Sequence, residues 1–76
     1  MKENHKSHYV NIGKNLRKIR LEKGYSQQVL SNKCDVERAK ISRIENASED
    51  IKISTLLKLT DALEIKLVDL VKDEDL

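Results

Sequence analysis

The sequence predicts an all-α domain of five short helices, and three observations carry that expectation. Among 76 residues there is no Pro, Trp or Phe, and the only Gly are Gly13 and Gly24. Little in the chain breaks a helix, while Leu, Ile, Lys and Glu are abundant and suit one. Apolar residues recur at three- and four-residue spacing in successive segments, the period of a helix face, and short polar breaks divide those segments. A chain this short makes one small domain, whose core would gain from burial at a homodimer interface.

The elements follow in order. Residues 1–8 read as a flexible N-terminal arm, polar and without an apolar run. His5 and His8 lie three apart within it, and two imidazoles are too few for a metal site. His8 and Tyr9 are placed to begin the first helix, and the domain spans 9–72. From Val10 to Lys23, Ile12, Leu16 and Ile19 recur at i, i+4, i+7, with Lys14, Arg17 and Lys18 mainly off that stripe. Gly24 stands where a C-terminal glycine ends a helix. Ser26 is placed to cap a second helix, about Gln27 to Lys33, whose Val29 and Leu30 are candidates for the buried side. Cys34, Asp35 and Val36 form a break, and Asp tolerates a left-handed backbone better than most residues.

A third helix runs from about Glu37 to Glu45, with Ile41 and Ile44 on one face and Val36 as an anchor before them. The loop "NASEDIK", residues 46–52, is polar. Ser54 is the expected N-cap of a fourth helix, Thr55 to Leu63, in which Leu56, Leu59 and Leu63 share a face. Ile65 links it to a fifth, Leu67 to about Lys72, with Leu67, Leu70 and Val71 on one side. Residues 73–76 read as an acidic tail.

Composition limits the function. Residues 1–43 hold 11 Lys or Arg against 4 acids, and residues 44–76 hold 4 against 9. A basic half beside an acidic half points to a face made for a polyanion, scatter in a short charged chain being the plain alternative. Cys34 is alone and closes no internal disulfide. It reads as a small, half-buried hydrophobe, with a redox switch as the sharper alternative. There is no signal peptide and no run near ~18 apolar residues, so the expected location is cytoplasmic, with no membrane partner. With no Ser/His/Asp set, no metal-ligand cluster and no Gly-rich phosphate loop, we expect no enzyme, no catalytic residue, no cofactor and no metal.

Two helices of about two turns joined by a three-residue break are the helix-turn-helix arrangement, whose second helix can enter the major groove of DNA. Here the pattern becomes specific. "IG", "LRKIRLEKG", "SQ", "ISRIEN" and "TLLKLTDALEI" together resemble the lambda-repressor-like helix-turn-helix family, the Cro/C1 or xenobiotic-response-element type, over about Val10 to Val71. The resemblance implies a five-helix DNA-binding domain. It places Arg38, Ala39 and Arg43 at base edges, and Arg can bond both O6 and N7 of guanine. Ala39 could offer a thymine methyl an apolar contact. Glu37 is placed either to accept from cytosine N4 or to interact with the helix N-terminus.

The resemblance also makes Gln27 a phosphate ligand, with Lys40, Ser42 and Asn46 as further phosphate candidates. It pairs Glu45 with Arg20 as a structural ion pair tying helix three to helix one. The chain departs from the family pattern at Ser31 (usually Ala), Asp35 (usually Gly), Glu37 (often Ser or Thr) and in the acidic loop Ala47, Ser48, Glu49, Asp50, where the family often has Gly and basic residues. That loop weakens the case for one usual phosphate contact. Leu57, Ile65, Leu67 and Val68 are apolar residues not all needed by one small core, and form the expected dimer patch. The expected function is a homodimeric, sequence-specific transcriptional regulator or repressor on double-stranded DNA. Its small size resembles restriction–modification controllers and phage-type repressors. An antitoxin or protein-interaction module of the same fold is the alternative, and RNA polymerase or a toxin would be further partners.

Overall fold

The structure, a computed structural model, describes residues 5–73. Five helices follow one another: α1 (Lys6–Glu22), α2 (Gln27–Cys34), α3 (Arg38–Glu45), α4 (Ile53–Leu63) and α5 (Leu67–Val71). Helix α1 packs on α3 and α5, α2 packs on α3 and α4, and α4 meets α5. The core is therefore shared by all five. Leu16, Leu30, Ile41, Ile44, Leu59, Leu63 and Leu70 are its fully buried apolar side chains, each stabilising the fold by roughly 1.5–3 kcal/mol relative to exposure.

Local chemistry explains most of the boundaries. Helix α1 ends in a Schellman turn: Gly24 has φ 77°, its N–H bonds Leu21 O, and the Tyr25 N–H bonds Arg20 O. The Ser26 hydroxyl accepts the Val29 N–H at 3.0 Å and opens α2. Asp35 takes the left-handed conformation between α2 and α3 (φ 58°, ψ 38°). Ser31 donates to the Val36 carbonyl at 2.6 Å, fastening that turn to α2.

The starts of α1 and α4 differ from expectation by more than one residue. Helix α1 begins at Lys6, so Lys6, Ser7 and His8 are helical and do not belong to an arm spanning 1–8. The added turn leads into Tyr9, half-buried, whose hydroxyl interacts with Asp50 in the loop before α4. A contact from far along the chain thus supports a turn with little apolar periodicity of its own. Residues 1–4 of that arm, and 74–76 of the acidic tail, lie outside the described residues. Helix α4 begins at Ile53, and its N-cap is Lys52 without a side-chain cap bond. Ser54 lies inside the helix because the Lys52 carbonyl already receives the Thr55 and Leu56 N–H groups, both at 3.1 Å. Helix α5 stops at Val71, where Asn11 and Asn15 of α1 take the last carbonyls.

Candidate nucleic-acid interface

Helix α3 has an inside and an outside. Ile41 and Ile44 are fully buried, and Val36 just before the helix is 6% exposed. Glu37, Arg38, Ala39, Arg43 and Asn46 are exposed, while Lys40 and Ser42 are half-buried. Glu37 is the N-cap residue and makes no side-chain cap bond.

Two features seat this helix. At Gly13 the backbone of α1 runs against the last turn of α3, and a Cβ there would come within 2.6 Å of Ile44 O and 2.7 Å of Glu45 O. Only a residue without a side chain allows that approach. Beside it, Arg20 and Glu45 form a bidentate pair, Nε–Oε2 at 2.7 Å and Nη2–Oε1 at 3.0 Å, with side chains 8% and 4% exposed. The third face of the guanidinium is also used: Arg20 Nη1 donates to Tyr25 O at 2.8 Å. Gln27 Nε2 donates to Glu45 Oε1 at 3.1 Å. One buried network thus ties α1, the turn after it, the start of α2 and the end of α3, which is how a buried charge pair is satisfied.

On the outside, Glu49 reaches back to α3. Its Oε1 lies 2.5 Å from Arg43 Nε and its Oε2 lies 3.6 Å from Lys40 Nζ. The Arg43 hydrogen bond holds the Glu49 carboxyl below the usual glutamate range. The loop is held in turn. Ala47 takes φ 55°, and both the N–H and the hydroxyl of Ser48 bond Arg43 O, at 2.9 and 3.1 Å.

The structure brings Arg20, Glu45 and Gln27 together and sets Arg38, Ala39 and Arg43 outward on one helix. It separates the four apolar residues of the expected dimer patch. Leu57 and Val68 are 45% and 56% exposed, while Ile65 and Leu67 are half-buried against the chain's own core. Val71, on α5 with Val68, is also exposed.

Sequence reasoning missed Asn11 and Asn15, the close approach at Gly13, and the contacts of Glu49 with α3. A glycine inside a helix costs about 1 kcal/mol against alanine, which was a signal for Gly13. Asn15 falls among Ile12, Leu16 and Ile19 on the apolar stripe, a second signal. Its buried amide donates to Leu70 O and Lys72 O, both at 2.8 Å. Glu49 was visible only as part of an acidic loop, because its partners are met only through the fold of that loop. Among the described residues no group of three His, Cys, Asp or Glu gathers as a metal site, and no helix is long and apolar enough to cross a membrane.

A two-turn helix with an exposed cationic face, seated by a second short helix through a left-handed turn, defines a DNA-binding transcription regulator of the helix-turn-helix class. The chain belongs to the helix-turn-helix family HTH_3, which matches residues 16–70. No curated protein matches it. Among solved structures it is similar to the restriction–modification controller protein C.AhdI from Aeromonas hydrophila, with 29% identity and a TM-score of 0.85 over 90% of this chain and 99% of that one. It is also similar to the controller C.Esp1396I, with 34% identity and a TM-score of 0.73 over 76% of this chain and 75% of that one. A tetramer of C.Esp1396I in complex with its natural 35 base-pair operator matches at 29% identity and a TM-score of 0.74, over 86% of this chain and 95% of that one.

Proposed function

We propose that this protein is a homodimeric regulator of the restriction–modification controller type, which places α3 in the major groove of a near-palindromic operator. The observation that carries the reading is the seating of α3. Gly13 and the Arg20–Glu45 pair fix its inner side, while Arg38, Ala39 and Arg43 stand free of the core. The similarity to C.AhdI along nearly the whole of both chains supports the controller type, and the operator complex of C.Esp1396I supports DNA as the partner.

In this reading Arg38 and Arg43 each read a guanine edge, and Ala39 lies against a thymine methyl. Glu37, exposed at the start of α3, accepts from a cytosine amino group. Gln27 uses one amide hydrogen on Glu45 and has the second for a phosphate near the N-terminus of α2. Ser42 and Asn46 flank the reading residues and complete the phosphate contacts, which set register and carry no sequence information directly; Lys40, expected among them, has its ammonium 3.6 Å from the Glu49 carboxylate, which competes with a phosphate there. Leu57 and Val68, with the edges of Ile65 and Leu67, cover one another across a two-fold axis.

The test is selection of bound duplexes from random DNA, followed by titration of variants against the selected site and its single-base changes. Arg38→Ala and Arg43→Ala should relax preference at fixed positions of each half-site by about 1–3 kcal/mol per lost contact. Gln27→Ala should weaken all sites about equally. If both arginine variants keep the base preference of the unaltered protein, α3 is not the reader, and a protein-interaction role replaces this one.

A further inference from the structure

We infer that Glu49 is a specificity-determining residue of the DNA-reading face: it grips Arg43 by Nε, leaving the terminal nitrogens to read a guanine, and it opposes phosphate contacts by Arg43 and Lys40. The inference rests on the proposed placement of α3 in the major groove.

The geometry separates two uses of the same cation. A guanidinium has five N–H donors, and reading guanine O6 and N7 takes two of them. Glu49 Oε1 occupies the Nε side of Arg43, and the Arg43 side chain remains 48% exposed. The Nη1 and Nη2 groups can therefore meet a base edge with the carboxylate still in place. A phosphate is different. To bond Lys40 or Arg43 it must approach a site already holding a carboxylate, 3.6 Å from Lys40 Nζ and 2.5 Å from Arg43 Nε, and like charges repel there.

The loop keeps that carboxylate in place. Both Ser48 bonds land on the carbonyl of Arg43, the residue whose side chain Glu49 grips. Ala47 carries the left-handed turn between them, and Asp50, next to Glu49, interacts with the Tyr9 hydroxyl of α1. Non-specific binding consists almost wholly of phosphate contacts, so it bears the full penalty. Specific binding keeps the Arg43–guanine contact with Glu49 in place and bears less. The carboxylate thus widens the gap between operator and other DNA.

The experiment titrates the full chain and its Glu49→Gln and Glu49→Asp variants against the selected operator and a scrambled duplex of equal length, at several salt concentrations. Arg38→Ala and Arg43→Ala serve as controls. For Glu49→Gln we expect several-fold tighter binding to the scrambled duplex, a salt slope steeper by about 1 per gained phosphate contact, and a flatter profile at the Arg43-read base. Glu49→Asp keeps the charge but shortens the reach by one methylene. It should flatten that base profile while binding to the scrambled duplex stays weak.

An operator-to-scrambled ratio unchanged or raised in Glu49→Gln overturns the inference. A Glu49→Asp protein with the unaltered profile at that base overturns the aiming of Arg43. If Arg38→Ala and Arg43→Ala leave base preference intact, the reading of α3 falls. If they relax it and Glu49→Gln keeps the ratio, only the role of Glu49 falls.

Discussion

Glu45 and Glu49 lie four residues apart and are used on opposite sides of the chain. Glu45 turns inward, where Arg20, Gln27 and the Tyr25 carbonyl complete one buried network. Removing either charge strands the other, so Arg20→Ala and Glu45→Ala should each destabilise by about 3–5 kcal/mol. The double variant should lose less than their sum, and strict additivity in a thermal-denaturation cycle would remove the pairing. Glu49 stays at the surface, and its carboxyl is held low by Arg43. Its folded pKa is below its unfolded one, so its contribution is present above the unfolded glutamate value near ~4.3 and is lost as pH falls through the folded value. An NMR titration of the Glu49 carboxyl should show its midpoint rise in Arg43→Ala; an unmoved midpoint would exclude Arg43 as the cause. Cys34 is buried, and burial raises its thiol pKa. The unfolded thiol ionises first, so stability falls as pH rises through the unfolded value near ~8.5. Alkylation at pH 8 should be slow until denaturant is added, and rapid labelling of the native protein would contradict that burial.

At the scale of elements, helices are positioned more by one another than by their own caps. Helices α3 and α4 have no side-chain cap bond at their N-termini. Packing holds them instead, α3 against α1 and α2, and α4 against α2 and α5, while α1 also receives α5. Gly13 admits α3, and Asn15 receives α5. A methyl at Gly13 would collide with backbone oxygens, which cannot swing away as a side chain can. Gly13→Ala should therefore destabilise by about 1–3 kcal/mol through overpacking, despite the better helix propensity of alanine, and should weaken DNA binding by displacing α3. A gain in melting temperature would show that α1 and α3 can part freely. Asn15→Ala leaves the Leu70 and Lys72 carbonyls without that donor. Loss of a buried donor costs about 1–3 kcal/mol, and hydrogen exchange should show α5 opening first.

At the scale of the whole molecule, the fold leaves apolar surface on its last two helices. Leu57, Val68 and Val71 are 45%, 56% and 42% exposed. A homodimer through α4 and α5 would cover them and add burial to a small core. Sedimentation at micromolar concentration should give about twice the chain mass, and Val68→Lys should return it to one chain. A monomer that stays monomeric on DNA would end the dimer proposal. In the dimer the two copies of α3 should lie ~34 Å apart, so half-sites should be centred ~10 bp apart. Val68→Lys should accordingly weaken the full site far more than an isolated half-site.

The chain by itself determined five helices, their order and most of the inward residues, Val29 being exposed where the sequence made it a candidate for the buried side of α2. Periodicity marks Leu16, Ile41, Ile44, Leu59 and Leu63 wherever a single face must be buried, and the local chemistry of Gly24, Ser26 and Asp35 set three of the turns. The outward placement of Arg38, Ala39 and Arg43 was legible too, because the positions that Ile41 and Ile44 leave outward follow from helical spacing; the base-reading role proposed for them comes from the family resemblance. Tertiary structure decided what depends on distant partners. Tyr9 meeting Asp50 accompanies the extension of α1 to Lys6, the Lys52 carbonyl starts α4 ahead of Ser54, and the core claims part of Ile65 and Leu67. The grip of Glu49 on Arg43 belongs to the same class. Nothing in "NASEDIK" names its partner, since the contact exists only once Ala47 turns the chain back and Ser48 fastens it to α3.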